Sequence, residues 1–86
     1  MATILVVDDR PLNREVLTTL LGYAGHRLLE AGDAVEGLAL TRAEHPDLVI
    51  ADILMPTMDG YEFVRQVRAD PAIAQTPIVF YTAHYL

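Results

Sequence analysis

Ile4-Leu5-Val6-Val7-Asp8-Asp9 is a run of four apolar residues, three of them β-branched, that ends in two carboxylates. A run this short and this uniformly apolar reads as a strand buried on both faces. Leu48-Val49-Ile50-Ala51 repeats the pattern and delivers Asp52, and Ile78-Val79-Phe80-Tyr81, entered from Pro77, delivers Thr82. Helical patterns fill the intervals, so the order is strand, helix, strand, helix, strand, helix, strand. Such alternation implies parallel strands joined by right-handed crossovers. Ligands of open parallel sheets bind beyond the carboxyl ends of the strands, which places Asp8, Asp9 and Asp52 at one functional edge. Gathering three negative charges is unfavourable unless a cation or a proton compensates them. The pattern therefore points to a metal and to chemistry on a carboxylate.

The helices are read from periodicity and punctuation. Pro11 marks a first helical turn, where its missing N–H is not needed. Leu12, Val16 and Leu20 repeat every four residues, with Leu17, Leu21 and Ala24 beside them, which predicts an amphipathic helix facing a core. Gly25 is its expected stop. His26 to Ala31 reads as a weaker strand nearer an edge. Asp33 with Glu36 resembles a capping box opening a helix that turns Ala34, Leu38 and Ala39 inward, and Pro46 ends it. Asp59 with Glu62 opens the third helix in the same way, placing Phe63, Val64 and Val67 on one face and stopping before Pro71.

Composition narrows the classes. The 86 residues suit one small domain, and a chain of this size buries only about 60–65 % of its unfolded surface. An apolar fraction of 52 % is generous at that length and fits strands covered on both sides. No apolar stretch approaches the roughly 20 residues of a membrane helix. The amino terminus lacks the basic flank and cleavage site of a signal peptide, so a cytoplasmic location is expected, and the absence of cysteine agrees with that. Twelve acidic residues stand against six basic ones, for a net charge of −6. Phosphate-backbone binding needs a clustered basic surface, so no direct nucleic-acid contact is expected. All basic residues are arginines (Arg10, Arg14, Arg27, Arg42, Arg65 and Arg68), and lysine is absent. His26, His45 and His84 are scattered and do not form a metal-ligand pattern.

Val6-Val7-Asp8-Asp9 after the first strand, Asp52 after the third, Met55-Pro56 and Met58-Asp59-Gly60 in the following loop, and Thr82-Ala83 after the fourth are in register with the alternation. Together they resemble the receiver domain of two-component response regulators. The resemblance implies a flavodoxin-like, doubly wound α/β sheet and a signalling domain that accepts a phosphoryl group, not an enzyme. It implies Asp52 as the phosphoacceptor and magnesium, with manganese as a substitute, as the cofactor. Asp9 resembles the direct metal ligand, Asp8 the ligand acting through water, and Asp52 and the backbone carbonyl of Leu54 complete the set. Hard oxygen ligands and retained waters suit magnesium. Thr82 resembles the switch hydroxyl that meets a phosphoryl oxygen, with Ala83 keeping the approach open. The implied partner is a histidine kinase or a histidine phosphotransfer protein.

A full receiver continues with a further helix, a fifth strand that begins with a lysine, and a last helix. The sequence of 86 residues is accordingly read as the N-terminal part of a receiver, residues 1–86, with four strands and three helices. Two alternatives stand beside phosphoryl acceptance. An uncovered fourth strand or sheet face is a template for pairing, so one alternative is an interaction or dimerisation module that self-associates and transfers no phosphoryl group. The other, weaker, is a metal-dependent phosphohydrolase with an aspartyl nucleophile. Hydrolases resembling the haloacid dehalogenases need a second acid two residues after the nucleophile, and that position is Leu54.

Overall fold

Residues 1–56 and 58–82 are described by the computed structural model. Thr3–Val7 forms β1, Arg27–Ala31 β2, Leu48–Asp52 β3 and Ile78–Tyr81 β4. Pro11–Tyr23 forms α1, Ala34–Glu44 α2 and Gly60–Ala69 α3. The four strands are parallel in the order β2-β1-β3-β4. β1 moves to β2 on one side, whereas β2 to β3 and β3 to β4 move the other way. Right-handed crossovers therefore put α1 on one face of the sheet and α2 and α3 on the opposite face. The reversal of direction occurs between β1 and β3, the place where a doubly wound sheet opens a crevice at its carboxyl edge.

The face under α2 and α3 holds the main core. Leu5, Val7, Val49 and Ala51 alternate toward it and meet Leu38 of α2 and Phe63 and Val67 of α3, all fully or almost fully buried. α2 approaches closely because Gly37 has no side chain; a Cβ there would lie 3.0 Å from a Val7 methyl. The other strand residues, among them Ile4, Val6, Ile50 and Val79, point to the α1 face, since neighbours in a strand alternate.

Both expected caps are present, each with one difference. Asp33 accepts from Glu36 N–H at 2.8 Å, but Glu36 Oε1 returns to Gly32 N–H, not to Asp33. Asp59 accepts from Glu62 N–H at 2.9 Å, while the Glu62 carboxylate turns outward to Arg65 and Gln66. Pro11 opens α1, and Gly25, at φ 87°, follows its end in the left-handed region that glycine tolerates.

Two inward faces expected from periodicity are only partly inward. Leu12, Val16 and Leu20 are 69 %, 51 % and 62 % exposed, and α1 contains no fully buried residue. α1 leans on β1 and β2 through Leu17 and Leu21, as expected, and through Arg14, all partly covered, whereas Ala24, expected beside them, is exposed. Ala39 is likewise exposed, because Ala34, Gly37, Leu38 and Thr41 form the buried side of α2.

Candidate functional site

The carboxyl ends of β1 and β3 are adjacent in the sheet, with Val7 paired to Ala51. The next residue of each strand is therefore thrown over the same edge, and Asp8 and Asp52 arrive side by side. Both are fully buried. Asp9 joins them, and one carboxylate oxygen from each of Asp8, Asp9 and Asp52 lies within 4.8 Å of the others. The structure thus brings together the three acidic residues singled out in the sequence.

Each carboxylate is held differently. Asp8 Oδ1 accepts from Arg10 N–H at 2.8 Å, Asp8 Oδ2 accepts from the Tyr81 hydroxyl, and the Asp8 carbonyl accepts from Arg14 Nη1 at 2.6 Å. Arg14 also meets Glu30 at 3.2 Å, so it fastens the turn after β1 to β2. Asp52 Oδ1 accepts from Leu54 N–H at 3.1 Å. Asp9 Oδ1 is buried and has no hydrogen-bond partner among the described residues. A buried charged oxygen left unsatisfied is costly, and a hard cation is the partner that removes this cost without adding a donor. The all-oxygen set of Asp8, Asp9 and Asp52 fits magnesium or manganese in chemical type.

The loop after β3 is pinned from below. Ile53 N–H donates to the Tyr81 carbonyl at 3.1 Å, and Gly60 N–H donates to the Ile53 carbonyl at 2.9 Å. α3 begins so close to the sheet that a Cβ on Gly60 would lie 2.8 Å from Phe80 and 3.0 Å from the Asp52 carbonyl. Glycine at this position lets the loop turn directly over the acidic edge. Leu54 stands in that loop, 55 % exposed. Thr82 follows β4 at the same edge and is exposed; Ala83 and His84 lie outside the described residues.

Tyr81 and Arg14 are the site neighbours that sequence reading did not single out. Tyr81 is the partner of Asp52 in the β3–β4 register, so pairing the two strands by their ends would have found it. Burial and then the hydrogen bond to Asp8, with the charges of Asp8, Asp52 and Asp9, push its phenol well above the ordinary tyrosine range. It remains a protonated donor. Arg14 carries no comparable sequence signal; its role depends on how α1 leans on β2.

The family described as the response regulator receiver domain matches residues 4–85. This chain belongs to that family. The receiver is 40 % identical over 82 residues to the protein PilH of Pseudomonas aeruginosa, covering 95 % of this chain and 68 % of PilH. It is 43 % identical over 65 residues to the sensor histidine kinase RcsC of Escherichia coli, covering 76 % of this chain and 7 % of RcsC. Its fold superposes with a TM-score of 0.94 on the N-terminal domain of a response regulator receiver protein from Methanoculleus marisnigri JR1, at 41 % identity. That alignment covers 100 % of this chain and 70 % of the other. The receiver therefore spans about two thirds of PilH and a small part of RcsC.

Proposed function

We propose that this receiver accepts a phosphoryl group on Asp52 from a phosphohistidine, with magnesium, or manganese in its place, held at the acidic edge. The observation that carries this reading is the meeting of buried Asp8 and Asp52 with half-buried Asp9, whose buried Oδ1 has no partner among the described residues. Asp9 would ligate the ion directly, Asp8 through water, and Asp52 and the Leu54 carbonyl would complete the protein ligands. When bound, the ion supplies positive charge against the carboxylates and the phosphoryl oxygens.

The remaining chemistry belongs to the chain. The Leu54 N–H on Asp52 Oδ1 fixes the rotation of the acceptor carboxylate. An Asp52 oxygen then forms the new P–O bond as the donor's P–N bond breaks, and the imidazole nitrogen keeps the electron pair. Thr82 donates its hydroxyl to a phosphoryl oxygen of the product, and Ala83 leaves the approach open. The donor is a histidine kinase or a histidine phosphotransfer protein; the likeness to part of a sensor histidine kinase supports that source. The net charge of −6 argues against direct nucleic-acid contact. A cytoplasmic place of action is part of the same reading, and no helix among the described residues is long and apolar enough to cross a membrane. Residues 1–86 then act as the N-terminal part of a receiver.

Incubation with magnesium and acetyl phosphate, followed by intact mass measurement, tests the proposal. A single phosphoryl adduct that disappears in Asp52→Asn is the expected result. Magnesium binding with no adduct would favour an interaction module, and many turnovers of acetyl phosphate with little adduct would favour a hydrolase. A second property is favoured by the exposed Leu12, Val16, Leu20 and Val79: the chain self-associates through its α1 face or its β4 edge.

A further inference from the structure

We propose that Tyr81 is a latch on the acidic site, competing with a divalent cation for Asp8 and covering the approach to Asp52. This rests on the metal reading above and adds a residue to it. Tyr81 lies at the end of β4, and Asp8 just beyond the end of β1. β3 runs between those two strands. Neighbouring strands are about 4.8 Å apart, so β1 and β4 are separated by roughly 10 Å. A phenol that starts on β4 and donates to Asp8 Oδ2 must therefore pass over the carboxyl end of β3, where Asp52 sits. Its path crosses the surface from which a phosphoryl donor has to reach the acceptor.

The same bond uses one lone pair of Asp8 Oδ2, while Oδ1 accepts from Arg10 N–H at 2.8 Å. An ion that draws on Asp8 meets the hydroxyl proton of Tyr81, whose partial positive charge opposes a cation at the same carboxylate. Entry of the cation and release of Tyr81 are then one exchange, and the aromatic ring moves off Asp52 as the ion arrives. The site is opened to its donor by the cofactor the donor requires. Tyr81 is a positioning residue in this scheme, since it acts through Asp8.

Magnesium alone, titrated into the full chain by calorimetry, tests the exchange. Losing a competing hydrogen bond to a carboxylate should tighten magnesium binding about three- to tenfold in Tyr81→Phe, which keeps the ring and loses the hydroxyl. In wild-type protein carrying labelled tyrosine rings, the Tyr81 ring resonances, assigned by through-space contacts, should shift in step with magnesium occupancy. Equal or weaker binding by Tyr81→Phe, or an unmoved Tyr81 ring at saturating magnesium, overturns the latch while leaving the metal site standing. If neither wild type nor Tyr81→Phe binds magnesium, the metal reading fails and the latch falls with it.

Discussion

Asp8, Asp9 and Asp52 were readable as a cluster because they come directly after branched apolar runs, and parallel strands deliver their next residues to one edge. Tyr81 was not readable in the same way. Its ring completes the apolar run Ile78-Val79-Phe80-Tyr81, so periodicity assigns it to a strand and says nothing of its hydroxyl. Only the register, which sets Tyr81 opposite Asp52, shows where that hydroxyl goes. The shift in its ionisation gives a test at this scale. Because the folded state raises the Tyr81 pKa above its unfolded value, the stability it contributes is present below the unfolded value of about 10 and is lost as pH rises beyond it. Tyrosinate absorbance titrations of wild type and Tyr81→Phe should therefore superimpose through pH values around 10 while the protein stays folded. A step missing from the variant in that range would show that Tyr81 ionises like an ordinary phenol.

Among the elements, the strands and the capped helix starts were legible in the sequence, whereas the orientation of α1 was not. The four-residue spacing of Leu12, Val16 and Leu20 establishes an apolar stripe but carries no information on what lies opposite it. Arg14 shows the difficulty. The side of α1 that leans on the sheet is partly polar, with Arg14 reaching the Asp8 carbonyl and Glu30, and a hydrophobic count assigns such a side to solvent. The start of α3 gives a sharper element-scale test. Gly60 is buried against Phe80 and against the backbone of Asp52 and Ile53, and the two main-chain contacts cannot swing away. Gly60→Ala should lower stability by about 1–3 kcal/mol, the usual range for overpacking, read as a reduced urea midpoint with unchanged m-value. The gain in helix propensity from alanine, about 1 kcal/mol, acts in the opposite direction, so a stabilised variant would mean that α3 can back away from the sheet.

For the molecule as a whole, the two faces of the sheet are unequally covered. Among the described residues, α2 and α3 bury Leu5, Val7, Val49 and Ala51 completely, while on the α1 side Leu12, Val16, Leu20 and Val79 are all more than half exposed. Light scattering at micromolar concentration should find a mass above that of one 86-residue chain, and Val16→Glu with Leu20→Glu should return it toward the monomer without altering the far-ultraviolet dichroism. A wild-type protein that is monomeric and cooperatively folded would overturn the proposed self-association. The strand order has a separate consequence for the history of each chain. The hydrogen bond between Tyr81 and Asp8 joins positions 73 residues apart, linking the first strand to β4. Asp8 and Asp9 precede both partners in chain order, but they meet Asp52 only once β3 has inserted beside β1, and Tyr81 only once β4 has docked. Closing so long a loop comes late because its entropic cost precedes any reward. The acidic pocket is thus the last part of these four strands to exist, and three carboxylates that repel one another are brought together only when the rest of the sheet is in place to hold them.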